Sequence, residues 1–205
     1  MKADELRPFY NQVFTVKELK NYFKEQDSSI RTQLSRLYKA GKLIRLKRDC
    51  YTFPDFHPNT FVIGQEMVSP SYHSLESVLA MNSIIPEGVT AHTLITSKKT
   101  QEYVNEFGTF SYRHLDPELF FGVEKREDGA WVAVPEKALL DYLYLNSEKF
   151  KADFGCWQAE RFDELDILNF EKMKEWSKKY GMQKLDRLVE SLELYSCSED
   201  YQAHL

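Results

Sequence analysis

The chain has 205 residues, of which 42% are hydrophobic and 29% charged, and its formal net charge is −5. This composition is typical of a globular protein with one large or two small domains. No apolar run approaches the roughly 18 residues that a membrane span needs, so we expect no membrane segment. The first residues lack the apolar segment of a signal peptide, so we expect none.

The cysteines indicate the cellular compartment of the protein, and the charge distribution indicates the kind of ligand it binds. Cys50, Cys156 and Cys197 are far apart and form no CxxC pair, which fits a reducing, cytoplasmic compartment. Residues 1–53 hold 12 Lys and Arg against 6 Asp and Glu, a charge of +6, whereas residues 54–205 hold 15 against 26, a charge of −11. We call residues 1–53 the basic head and residues 54–205 the acidic body. This division of charge indicates that the head binds a polyanion.

Two helices are predicted within the basic head. Thr15 and Glu18 have the spacing of a capping box, and the apolar periodicity that follows predicts a helix over about 16–25. The capping residues at 27–29 then indicate a second helix over about 28–40, with Gly41 as its C-terminal stop. Its apolar positions form one narrow stripe, and the opposite face is cationic and polar.

A basic hairpin follows the second helix and completes the pattern of a winged helix-turn-helix. The segments "LIRLK" and "CYTF" alternate like strands, and Asp49 suits a tight turn between them. The helix over 28–40 would then enter the major groove of duplex DNA, with the hairpin as the wing. The predicted DNA-contacting residues are Ser28, Arg31, Thr32, Ser35, Arg36, Lys39, Arg45, Lys47 and Arg48.

The remaining chain predicts a mixed α/β body. Residues 54–59 have the composition of a linker, which separates a winged-helix domain over 1–55 from a body over 60–205. A helix is expected over about 74–81, a small antiparallel sheet over 89–134, an amphipathic helix from Pro135, and further helices from about 150. The predicted fold class is therefore α+β.

The same residues allow functions other than DNA binding. The charges could also be a solvated helix face and a protected edge strand, or the winged helix could bind protein. The scattered histidines His57, His73, His92, His114 and His204 have no metal-ligand spacing, so no metal or cofactor is expected. Glu136, Lys137 and Asp141 allow a DNA-targeted nuclease as an alternative, but a helix start also favours Glu electrostatically. We therefore expect no enzyme.

Three motifs in order resemble the AbiEi-type antitoxins, the abortive-infection transcriptional regulators of type IV toxin–antitoxin systems. They are "LSRLYKAGKLIRLKRDCYTF", then "SPSYHSLESVLAMNSIIPE", and then "FGTFSYRHLDPELFFG" with "AWVAVPEKALLDYLYL", and together they cover roughly residues 12–146. Asp49 and Cys50 stand where this family usually has Gly before the aromatic residue of the wing.

The resemblance implies a function and partners. A protein of this kind represses its own operon by binding the promoter, with possible homo-oligomers on the DNA. Its functional partner is a nucleotidyltransferase-like toxin, which is countered without a stable complex.

Overall fold

A computed structural model describes residues 3–56, 59–86, 88 and 90–202, and its fold is α+β. The α-helices are α1 (Val16–Phe23), α2 (Asp27–Lys39), α3 (Thr60–Met67), α4 (Glu76–Met81), α5 (Pro135–Leu145), α6 (Phe154–Glu160), α7 (Phe170–Ser177), α8 (Gln183–Ser196) and α9 (Glu199–Gln202). The strands are β1 (Phe14–Thr15), β2 (Ile44–Lys47), β3 (Cys50–Thr52), β4 (Ser71–His73), β5 (Ala91–Thr96), β6 (Gln101–Asn105), β7 (Gly108–His114), β8 (Val123–Lys125) and β9 (Trp131–Ala133). Short 3-10 helices occur at Ala3–Phe9, Pro117–Leu119, Leu165–Ile167 and Lys178–Tyr180.

The predicted capping box starts α1. The backbone N–H of Glu18 donates to the Thr15 hydroxyl at 3.3 Å, and the backbone N–H of Thr15 donates to the Glu18 carboxylate at 2.6 Å. Two backbone donors at the helix start are thereby satisfied by side chains, which is why this short segment becomes helical here. The prediction of a helix from residue 16 is confirmed.

Helix α2 starts differently from the prediction and ends as predicted. Its N-cap is Gln26, whose side chain makes no capping hydrogen bond, so Asp27 and Ser28 lie inside the first turn. At the other end Gly41 has φ +67°, and the N–H groups of Gly41 and Lys42 donate to the carbonyls of Tyr38 and Leu37. These two bonds form a Schellman motif, which satisfies the last carbonyls of the helix.

Helices α1 and α2 pack beside a three-stranded sheet with the order β1-β3-β2. β2 and β3 form the predicted hairpin, and Asp49 in its two-residue turn has φ +61°. The core of this N-terminal unit is apolar and includes Leu6, Phe14, Leu19, Ile30, Leu34, Leu43 and Tyr51.

The body contains a six-stranded mixed sheet, so the prediction of a small antiparallel sheet was wrong. Its order is β6-β7-β5-β4-β9-β8, and the pairs β5–β7 and β4–β9 are parallel. β6 lies at the edge and β7 returns between β6 and β5, which makes β7 parallel to β5. The sequence also did not predict β4 or β6. β4 is only three residues long, and its first residue, Ser71, is the last of a Ser-Pro-Ser break.

The central strands of this sheet are covered on both faces. Tyr72 and Ile95 point into a large core formed with α4, α5, α7 and α8. Leu94 and Phe110 point the other way, into a smaller cluster that contains Ile63 of α3 and residues of the N-terminal unit. The centre of the sheet is thus sandwiched between the helical body and the N-terminal unit.

The region from 150 onward is helical, as expected. Helices α6, α7 and α8 bury Trp157, Met173, Leu188 and Leu192 in the large core, and α9 adds Tyr201. None of the helices in the described part of the chain is long and apolar enough to cross a bilayer. Of the predicted linker over 54–59, residues 57 and 58 lie outside the described ranges, and Asn59 caps α3 by accepting a hydrogen bond from the N–H of Phe61 at 3.0 Å.

Candidate nucleic-acid interface

The outward face of α2 carries the first group of predicted contact residues. Ile30 and Leu34 are buried and Leu37 is half-buried, so the opposite side of the helix faces solvent. At about 100° per residue the solvent-facing arc is about half of the helix circumference. All six predicted residues of α2 lie on this arc and are exposed: Ser28, Arg31, Thr32, Ser35, Arg36 and Lys39.

Within this arc the six residues have different neighbours. Ser28, Thr32, Ser35 and Lys39 form the centre of the face, with Arg36 on one flank and Arg31 on the other. The hydroxyl of Thr32 donates to the carbonyl of Ser28 at 2.8 Å, so its remaining hydrogen-bonding capacity is as an acceptor. A shallow groove of about 530 Å³ runs along the Arg36 flank.

The hairpin β2–β3 lies beside the Arg31 flank of α2 and carries the second group. Arg45 and Arg48 are exposed, and Lys47 is half-buried. The guanidinium of Arg45 lies 5.0 Å from the ring centre of Tyr38, and the ammonium of Lys47 lies 5.1 Å from that of Tyr103. Both are cation–π distances, so two of the three hairpin cations are held against aromatic rings.

Arg31 is engaged within the protein. Its guanidinium forms a bidentate ion pair with the carboxylate of Asp49, with Nε to Oδ1 at 3.0 Å and Nη2 to Oδ2 at 2.9 Å. The hydrogen bonds to Asp49 raise the pKa of Arg31 above its usual value. The positive charge of Arg31 is therefore offset by a neighbour, unlike that of Arg36.

The electrostatic character of this surface follows from the sequence between residues 28 and 48. This segment holds seven Lys and Arg residues and no Asp or Glu. The acidic residues that flank it are both paired: Asp27 lies 3.0 Å from the ammonium of Lys20, and Asp49 binds Arg31. α2 and the adjacent hairpin thus carry more positive than negative charge.

The sequence did not predict two features of the site. Tyr38 is 41% exposed and lies on the hairpin flank of α2, seven residues and two turns after Arg31, a spacing that could have placed it there. A cleft of about 660 Å³ lies where the hairpin meets the edge strand β6, with Arg45 and Arg48 on one wall and Val104 and Glu106 on the other. No local pattern could have shown this cleft, because its walls are some 60 residues apart in sequence.

The residues of the nuclease alternative lie in the core of the body. The side chains of Lys137 and Asp141 are 0% exposed, and Lys137 Nζ lies 2.6 Å from Asp141 Oδ1. The other carboxylate oxygen accepts hydrogen bonds from the hydroxyls of Tyr72 and Ser74, at 3.0 Å and 2.8 Å. Burial lowers the pKa of Lys137, and the charge of Asp141 opposes that shift. These groups satisfy one another and face no solvent.

The described residues include no metal-binding cluster, and the thiol of Cys50 is not an activated one. Within the ranges that the structure describes, no group of three or more His, Cys, Asp or Glu side chains could hold a metal ion. His57 and His204 lie outside these ranges. Among the free thiols, Cys197 is exposed and Cys50 is buried, and burial raises the pKa of Cys50 to about 12.

In comparisons with known proteins, the chain matches no family model, and no curated protein matches it. The interpretation of the cationic surface therefore depends on its geometry and on the resemblance drawn from the sequence.

Proposed function

We propose that this protein is a DNA-binding transcriptional repressor whose N-terminal unit is a winged helix-turn-helix. The order of its elements supports this assignment: a short helix at Ala3–Phe9, then β1, α1, α2 and a hairpin, with β1 paired to β3. In this arrangement α1 and α2 form the helix-turn-helix, α2 is the recognition helix, and β2–β3 is the wing.

The observation that carries the proposal is the exposed cationic and hydroxyl-rich face of α2 beside a cationic hairpin. The 13 residues of α2 are about 20 Å long, and the major groove admits such a helix. Ser28, Thr32 and Ser35 would contact base edges or phosphates from the centre of the face. Arg36 and Lys39, with Arg45, Lys47 and Arg48 of the wing, would neutralise phosphates and release counterions.

The biological role rests on the resemblance to AbiEi-type antitoxins. On that basis the protein autoregulates its own operon, can oligomerise on DNA, and counters a nucleotidyltransferase-like toxin without forming a stable complex. It requires no cofactor. A cytoplasmic location, which its sparse cysteines favour, is the one this role needs. Co-expression with the product of the neighbouring gene tests this part: a rescue of growth supports the antitoxin role, and unchanged toxicity contradicts it.

A DNA-targeted nuclease is less well supported. A nuclease needs its acidic and basic groups at a surface where a scissile phosphate and a metal ion can reach them. Lys137 and Asp141 have no exposed surface, and Glu136 is largely buried and lies 3.4 Å from the ammonium of Lys172. Their arrangement is that of a satisfied core network.

The test of DNA binding compares two charge reversals of equal size. Fluorescence anisotropy would measure binding to a labelled duplex from the region upstream of the gene, at several salt concentrations. Arg36→Glu with Lys39→Glu alters the proposed face, whereas Lys98→Glu with Lys99→Glu alters an exposed lysine pair of the body. We expect the first pair to weaken binding by about a hundredfold or more and the second to change it little.

The salt dependence provides an independent measure. Each phosphate contact contributes about −0.9 to the slope of log K against log[salt], so the slope should become less steep by about 2 in the variant of α2. Equal losses in the two double variants would contradict the assignment of the face. Absence of binding to any duplex near physiological salt would contradict DNA binding as a whole and leave protein recognition by the winged helix.

A further inference from the structure

Asp49, in the turn of the hairpin, forms hydrogen bonds with both α1 and α2. Its carboxylate binds the Arg31 guanidinium of α2 through two parallel hydrogen bonds, and its carbonyl oxygen accepts from the N–H of Val16, the first residue of α1, at 3.0 Å. Asp49 adopts a left-handed backbone, with φ +61°, which Asp and Asn tolerate better than most residues. One residue of the turn therefore contacts the start of α1 and the middle of α2.

A second contact fastens the hairpin further along α2. Arg45 of β2 stacks on Tyr38, two helical turns after Arg31. The hairpin is thus held to the same flank of α2 at two points. Two points of attachment fix both the distance and the angle between α2 and the hairpin, which is what simultaneous contact with two grooves or strands of a duplex requires.

We propose that Arg31 is a positioning residue that holds the wing against the recognition helix, and that it makes no phosphate contact. This inference rests on the proposed DNA-binding function and changes the role that the sequence suggested for Arg31. The same pair explains why an acidic residue, Asp49, lies on a surface proposed to bind a polyanion. Its carboxylate orders the turn of the hairpin, although it neutralises one positive charge.

The two possible roles of Arg31 predict opposite effects of removing Asp49. If Arg31 contacts phosphate, Asp49 only weakens the positive potential, and Asp49→Asn should tighten DNA binding. If Arg31 positions the wing, Asp49→Asn releases the hairpin and should weaken binding, although a negative charge has been removed. Asn retains the tolerance of the left-handed backbone, so the variant removes the charge and leaves the turn conformation accessible.

Glu106 provides the matched control. It is exposed on the wall of the cleft that faces Arg45 and Arg48. Glu106→Gln removes one negative charge near the wing without touching the pair, so it measures the purely electrostatic effect, which we expect to be neutral or slightly tightening. Arg31→Gln and the double variant Arg31→Gln/Asp49→Asn complete a thermodynamic cycle.

The experiment measures DNA affinity and its salt slope for these four variants and the unaltered protein. We expect Arg31→Gln and Asp49→Asn each to weaken binding by about three- to tenfold with an unchanged salt slope, and the double variant to bind no more weakly than either single one. Tighter binding by Asp49→Asn, or a slope less steep by about 0.9 in Arg31→Gln, would assign Arg31 to a phosphate and overturn the proposal.

Hydrogen exchange of the free protein separates this proposal from the proposed function. The amides of β2, β3 and Val16 should exchange faster in both single variants than in the unaltered protein, whether or not DNA binds. Faster exchange in a protein that binds no duplex would retain the positioning role and remove the DNA function. Unchanged exchange in both variants would overturn the positioning role itself.

Discussion

The buried pair of Lys137 and Asp141 makes an asymmetric prediction about stability. Asp141 accepts hydrogen bonds from Lys137 and Tyr180 on one oxygen, at 2.6 and 2.7 Å, and from Tyr72 and Ser74 on the other. Asp141→Ala therefore leaves the buried ammonium of Lys137 without its counter-charge, with the Tyr180 hydroxyl as its remaining acceptor, and it removes the acceptor of three hydroxyls. Lys137→Met leaves a buried carboxylate that still has three hydroxyl donors, and it keeps the apolar length of the lysine stem.

The expected losses in the free energy of unfolding follow from which partners each variant keeps. Removing one partner of a buried ion pair typically costs about 3–5 kcal/mol, so Asp141→Ala should lower the free energy of unfolding by about 4 kcal/mol. Lys137→Met should cost less, about 1–3 kcal/mol, because the remaining carboxylate keeps charge-assisted hydrogen bonds. The double variant should be more stable than Asp141→Ala alone by about 2 kcal/mol, since it removes the stranded ammonium.

Urea unfolding followed by tryptophan fluorescence and circular dichroism would measure these three free energies. Trp157 and Trp176 lie in or against the same core and report on its loss. A constant denaturant slope across the variants would show that the change is in stability. If the double variant were as unstable as Asp141→Ala or less stable, the ammonium would not be the source of the cost, and the reasoning from charge satisfaction would fail.

Two further predictions concern the body. Burial lowers the pKa of His73 to about 4, so the unfolded chain binds the extra proton first, and stability should fall by about 2 kcal/mol between pH 7 and pH 5. His73→Gln, which can keep the hydrogen bond to the Phe61 carbonyl, should remove this part of the pH dependence in urea unfolding; an unaltered pH profile would contradict it. Gly122→Ala should cost well over 1 kcal/mol, because its φ is +63° and a Cβ would lie 2.6 Å from Trp176. Gly41→Ala, with φ +67° and open space, isolates the backbone cost, and equal losses of thermal stability in the two variants would exclude a steric contribution.

Local signals in the sequence were sufficient for the helices and the hairpin of the N-terminal unit. The capping box at Thr15 and Glu18 depends on residues three apart, and the end of α2 depends on Gly41 just beyond it. These interactions form within one turn of backbone, so residue identity and spacing determine them. The predicted start of α2, residue 28, was one residue too late. The side chains at 27–29 all suit an N-cap, but the helix begins at Asp27 and its N-cap is Gln26.

The arrangement of the body could not be read in the same way. Alternation along β5 and β7 indicates which side chains share a face, but it does not say that the two strands are parallel neighbours, since β6 lies between them in the chain. The core network combines Lys137 and Asp141 with Tyr72 and Tyr180, which are about 40 to 70 residues away in sequence. The helical spacing of 137 and 141 predicted only their contact with each other.

The candidate site shows the same division between local and distant interactions. The exposed arc of α2 follows from helical periodicity, so its residues could be named in advance. The neutralisation of Arg31 could not, because Asp49 is 18 residues away and reaches Arg31 only once the hairpin has folded back on α2. A list of cations taken from sequence therefore overstates the charge that this surface offers to a ligand.

The body also contacts the hairpin β2–β3, on the side away from α2. The amide of Asn105 in β6 donates to the carbonyl of Leu46 in β2 at 3.1 Å, and Leu46 and Cys50 pack in one apolar cluster with Phe110 of β7. β2 and β6 are both edge strands of their sheets, and an edge strand left open would present unpaired backbone groups to other chains. Docking one edge beside the other partly covers both. Because the same contacts set where the hairpin stands, its position depends on β6 of the body as well as on α2.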